Sequence, residues 1–145
     1  MPDTTITVTA NTVQPSSAAV IRTGTTAAST TIIAGDILYL TSGGLLAKAI
    51  TTTVVTAAVV GIALNGGGGD TVGQVIRYVA EDPLLTMTTT AALTVGAQLF
   101  LSDTAGKMTQ TPADVNAGEF YTGLGTAITA TTLNFKITKS GVAHA

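Results

Sequence analysis

Hydrophobic and polar positions alternate in short runs along most of the chain, and glycine-rich turns separate the runs. Ile6, Val8 and Ala10 alternate with threonine across residues 4–13, the period-two pattern of a half-buried strand. Pro15-Ser16-Ser17 ends that run. Residues 18–22 read as another strand, followed by a Thr/Ala/Ser-rich connection over residues 23–31. A more regular order then begins. Ala34-Gly35-Asp36 is a turn, Ile37-Leu38-Tyr39-Leu40 a strand, Ser42-Gly43-Gly44 a second turn, and residues 45–50 a short return strand. Residues 59–64 predict a buried strand with Gly61 at its centre, residues 65–70 a glycine-rich loop, and residues 72–79 another strand. Residues 51–58 are the one place for a possible helix, but their β-branched run argues against it. A single helical turn is expected over residues 111–114.

The same order returns further along. Val95-Gly96-Ala97-Gln98 precedes Leu99-Phe100-Leu101, and Ala105-Gly106 precedes Lys107-Met108. Residues 121–127 repeat the glycine-centred strand, and residues 133–138 repeat the strand before Val79. Gly35 recurs as Gly96, 61 positions on; Gly44 recurs as Gly106 and Gly61 as Gly123, each 62 positions on. One residue inserted in the Ser102-Asp103-Thr104 turn accounts for the change. The chain is therefore expected to be all-β, a small β-barrel or β-sandwich-like body made of two duplicated β-units with an extended N-terminal arm. Residues 1–31 would hold the arm and first strands, 32–94 the first unit, and 95–145 the second unit with a flexible C-terminal tail, all in one compact domain.

Composition supports strands and narrows the chemistry. The chain is 46% hydrophobic, with Thr and Val prominent, but only 10% charged, against roughly 25% in an average domain. Its net charge is −2, and Arg22, Lys48, Arg77, Lys107, Lys136 and Lys139 are scattered, so no nucleic-acid partner is expected. The longest apolar stretch, residues 54–64, is broken by Thr56 and Gly61 and is too short to span a bilayer, so no membrane partner is expected either. The start Met1-Pro2-Asp3 has no basic or apolar leader pattern, and no secretory signal is expected.

Reactive residues are few. There is no cysteine, and the one histidine, His144, stands next to the C-terminal residue, where a rigid catalytic placement is not expected. No His/Cys cluster has metal-ligand spacing, and Gly106-Lys107-Met108 lacks the spacing of a phosphate loop. Glu81-Asp82, the one adjacent carboxylate pair, precedes Pro83 and is expected to be a solvated turn, its two side chains pointing to opposite faces. Asn65-Gly66-Gly67-Gly68-Gly69-Asp70 loosely matches one Gly-Asp calcium turn, but a calcium β-roll needs stacked copies, so a hairpin loop is expected. Gly43, Gly61, Gly106 and Gly123 are expected at turns and bulges. Neither a catalytic residue, a metal site nor a cofactor is expected, and enzyme activity is not.

The strings Ala34-Gly35-Asp36-Ile37-Leu38-Tyr39-Leu40, Gly44-Leu45-Leu46-Ala47-Lys48-Ala49 and Val60-Gly61-Ile62-Ala63, with their repeat in the second unit, resemble the small capsid decoration, or cement, proteins of tailed bacteriophages. The resemblance covers about residues 32–138, and the second unit departs from it where Gly96-Ala97 replaces Gly35-Asp36. It implies a protein on the outer surface of the virion that clamps neighbouring subunits of the major capsid protein, often as a homotrimer at threefold points. A clamp of that kind needs a rigid body and arms that add strands to partners. The segment holding Thr4, Ile6, Val8, Ala10 and Val13 is the expected capsid-binding arm. The alternative is a carbohydrate- or cell-surface-binding β module of a fibre or tail, for which Phe120-Tyr121 is the one adjacent aromatic pair.

Overall fold

Branching at Cβ favours pleated backbone over helix, and the Thr/Val/Ile runs follow that preference. The computed structural model describes residues 5–9, 12–27, 30–69, 74–111 and 118–143, and every regular element among them is a strand. The strands are β1 (Thr5–Ile6), β2 (Val20–Thr25), β3 (Thr30–Ile32), β4 (Ile37–Leu40), β5 (Leu46–Lys48) and β6 (Val59–Ala63). They continue with β7 (Gly67–Gly69), β8 (Val75–Thr86), β9 (Gln98–Leu101), β10 (Met108–Thr109), β11 (Phe120–Ala127) and β12 (Thr132–Ala143). Residues 51–57 are a run of turns and a bend, with the Ala57 N–H donating to the Thr53 carbonyl (3.0 Å). Of the helical turn expected at residues 111–114, positions 112–114 lie outside the described residues.

The protein is all-β. Its ten-stranded sheet runs in the order β1-β10-β9-β11-β12-β8-β6-β4-β5, with β2 also paired to β8, while β3 and β7 form a separate ribbon. Leaving out β1, the order is palindromic. The first unit supplies β8, β6, β4 and β5, and the second supplies β12, β11, β9 and β10 in mirrored order. The units meet where β8 pairs with β12, through Thr86 opposite Thr132 and Leu85 opposite Leu133.

Register shows the duplication at residue level. Tyr39 faces Ala47 and Leu40 faces Leu46 in the first unit; their counterparts Phe100 and Leu101 face Thr109 and Met108 in the second. The turn glycines also match, with φ of 100° at Gly35 and 84° at Gly96, and 77° at Gly44 and 76° at Gly106.

The next pairing differs by one residue. Leu38 lies opposite Gly61, whereas Phe100, the counterpart of Tyr39, lies opposite Gly123. A one-residue slip turns a strand over. Ile37 and Tyr39 therefore pack on the main core in the first unit, while Leu99 and Leu101 do so in the second. The reason lies in Gln98, which stands where the first unit has Ile37: the slip sends this amide outward and leucines inward. A bulge at Gly123–Gly125 absorbs the offset. Gly125 has φ 126°, and a Cβ there would stand 1.9 Å from the Asn134 carbonyl oxygen, so no other residue fits this bulge.

Two clusters fill the sheet. The main core joins both units and includes Ile37, Ile62, Val79, Leu99, Leu124 and Phe135. The second lies on the other face of the first unit and holds Ile32, Leu38, Leu46, Ala63, Ile76 and Tyr78. The sheet curls round this second cluster as β2 passes along β8 until Thr26 meets Leu46 of β5 in a parallel bridge. The N-terminal segment plays a similar part for the second unit. β1 pairs with β10, Val8 bridges Thr89 and Gln14 bridges Thr86 of β8. The segment is extended, as its alternation predicts, and it lies on its own body.

Two buried carboxylates tie the parts together. Asp36 accepts hydrogen bonds from the Ile33 backbone N–H (3.0 Å) and from Lys107 Nζ (3.1 Å). The Ala34-Gly35-Asp36 turn of one unit is thus docked on the Gly106-Lys107 turn of the other, with the Ile37 N–H donating to the Gly106 carbonyl (2.9 Å). The missing counterpart of Asp36 is thereby explained: one carboxylate serves both turns. The expectation for Glu81-Asp82 is corrected. Both residues lie inside β8, with Glu81 exposed and Asp82 fully buried. Asp82 accepts from the Ser16 N–H (2.7 Å) and the Leu84 N–H (3.0 Å), and also from the Ser16 hydroxyl. This carboxylate needs three donors because burial removes its water, and it clamps the chain between the N-terminal segment and β2.

Candidate functional site

The expected arm residues fall in different places. Ile6 is 2% and Val8 7% exposed, both within the main core, and Val13 packs partly buried against it. Thr4 and Ala10 lie outside the described residues. The structure brings Ile6, Val8 and Val13 together on the protein's own core.

Open surface of a different kind lies where β6 and β12 diverge from β8. Val79 of β8 pairs with Ile62 of β6, while β12 joins the same strand further on, at residues 82–86. The cleft between them has a volume of about 540 Å³ and is lined by Arg22, Leu40, Val59, Val60, Tyr78 and Ile137. A second hollow of about 320 Å³ shares Arg22 and Ile137 with it and adds Val20, Ala80, Glu81 and Lys136. The two form one groove with an apolar floor and charged margins. Close approach of β6 to β8 shapes its deep end: a Cβ on Gly61 would stand 2.3 Å from the Val79 carbonyl oxygen. Along the groove and the open edge of β2, Val20, Ile21 and Leu40 are each 38–39% exposed. Arg22 and Lys136 form no ion pair among the described residues.

A further hollow, about 390 Å³, lies on the outer face of the second unit and is lined by Gln98, Phe100, Tyr121, Gly123 and Thr138. Phe100 and Tyr121 meet edge to face, with ring centroids 6.2 Å apart. The adjacent pair Phe120-Tyr121 does not act together. Phe120 packs on the main core, and strand alternation sends Tyr121 to the opposite face. Phe100 and Gln98 reach this face only because of the register slip, so alternation in the sequence does not reveal the pair.

No family model, curated protein or solved structure matches the chain. Among the described residues, no three His, Asp or Glu side chains stand close enough to hold a metal ion. Asn65 pins the base of the glycine-rich loop. Its Oδ1 accepts the Arg77 N–H (2.7 Å) and its Nδ2 donates to the Val75 carbonyl (3.1 Å). Asp70 and His144 lie outside the described residues. No helix among the described residues is long and apolar enough to cross a membrane. The groove offers apolar contact, a strand edge and fixed charge, which suits binding of an extended chain.

Proposed function

We propose that the protein is a capsid decoration protein. It binds the outer surface of an assembled phage head and braces neighbouring subunits of the major capsid protein. The observation that carries this reading is the continuous contact face formed by the β2 edge and the groove beside it, with its apolar floor and charged margins. An edge that pairs with no strand among the described residues, bearing exposed Val20 and Ile21 next to an apolar cleft, is costly to leave in water and suited to burial against a partner. The rigid body supports the same reading, because its two units share one core and are docked turn on turn. The resemblance of the Ala34-Gly35-Asp36 strings adds the partner, the outer-surface location and a homotrimer at threefold points. Incubated with undecorated, expanded heads of its phage, the protein should sediment with them to a saturating ratio. Heads that stay bare at saturating protein would refute the proposal.

A second reading has one observation in its favour. The Phe100–Tyr121 hollow, with the Gln98 amide beside two rings, has the mixed surface that a sugar ring contacts. A carbohydrate-binding module predicts glycan binding that Tyr121→Ala abolishes. Binding that survives this change, or is absent from the unmodified protein, counts against it.

A further inference from the structure

We infer that the groove between β6 and β12 receives an extended segment of the partner, which adds as a strand along β12 and places a carboxylate between Arg22 and Lys136. This rests on the decoration reading, which makes the partner the major capsid protein.

Backbone pairing is the first support. One edge of β12 is paired along its length with β11. Its other edge meets β8 only at Thr132, Leu133 and Phe135. From residue 136 onward no strand among the described residues pairs with that edge. At about 3.4 Å per residue, residues 136–143 offer roughly 27 Å of free edge, enough for a strand of ordinary length. An open edge of this kind accepts an extended chain through main-chain hydrogen bonds.

Side chains give the second support. The added strand would place alternate residues over Leu40, Val60 and Tyr78, which favours a segment with apolar residues at every second position. Charge supplies the third. The whole chain carries −2, yet among the described residues the groove margin holds Arg22 and Lys136 against Glu81 alone. Both bases lack an ion pair among the described residues. A carboxylate on the incoming segment would complement them, and fixed charges at an interface margin steer association and set orientation.

The test compares binding of the unmodified protein and of the double variant Arg22→Glu/Lys136→Glu to undecorated heads. Both side chains are exposed, so the free variant should melt with the unmodified protein. The double variant should bind about tenfold more weakly or worse, while Arg77→Glu, an exposed change outside the groove, should bind normally. Equal binding by the double variant would overturn this inference and leave the decoration reading standing. Failure of the unmodified protein to bind would overturn the decoration reading itself. A cryo-electron microscopy map of decorated heads should show a capsid-subunit strand beside β12. Density there from a second copy of this chain would also overturn the inference.

Discussion

Deletion of residues 1–13 should leave the protein largely unfolded at moderate temperature. Ile6 and Val8 are almost fully buried in the main core, and truncating a buried aliphatic side chain of this size typically costs about 2–4 kcal/mol. The deletion also removes the strand paired with β10 and the bridge from Val8 to Thr89. The turn at Gly35 would lose its neighbour as well: Val8 sits so close that a Cβ on Gly35 would stand 2.8 Å from the Val8 Cβ. Set against a domain stability of about 5–15 kcal/mol, these losses remove most of the margin. Chemical denaturation of Ile6→Ala and Val8→Ala checks the same point in full-length protein, with a loss of about 2 kcal/mol or more expected for Ile6→Ala. If the truncated protein melted normally and lost only its affinity for heads, the segment would be an arm for a neighbour instead.

Lys107→Met should be the most damaging single exchange of a charged surface-reaching residue. It leaves the Asp36 carboxylate, whose side chain is 3% exposed, with the Ile33 N–H as its remaining partner. Breaking a buried ion pair from this side costs about 3–5 kcal/mol, because the charge left behind has lost both water and its counter-ion. Asp36→Asn should cost less, about 1–2 kcal/mol. The amide still accepts from Ile33, and Lys107, 24% exposed, can turn its ammonium toward water. A double-mutant cycle by denaturant unfolding measures the coupling. A coupling energy near zero would mean that the pair does not dock the two units.

Much of this fold is visible in the sequence because strands and turns are local. The period-two runs, the matched turn glycines and the inserted residue all appear as strands, φ angles and registers in the structure. What stays hidden depends on distance along the chain. In Ile37-Leu38-Tyr39-Leu40 every residue is apolar, so alternation cannot say which face meets the core, and only Gln98 hints that the second copy is turned over. The alternation around Ile6 and Val8 shows that one face is covered, but the same pattern suits cover by another chain or by the chain's own core. Asp82 looks like part of a solvated turn because its donor, Ser16, lies 66 positions away. Asp36 likewise looks like an ordinary turn residue until Lys107, 71 positions on, reaches it. The groove draws its residues from β2, β4, β6, β8 and β12, and no local pattern announces it.

The most direct test of a bracing role is calorimetry of undecorated, expanded heads at increasing concentrations of the protein. A ligand that binds the assembled shell and not its separated subunits raises the disruption temperature by mass action. The transition should climb with added protein and level off as the binding sites fill. A transition that stays in place while the protein is seen bound to the heads would rule out a bracing role.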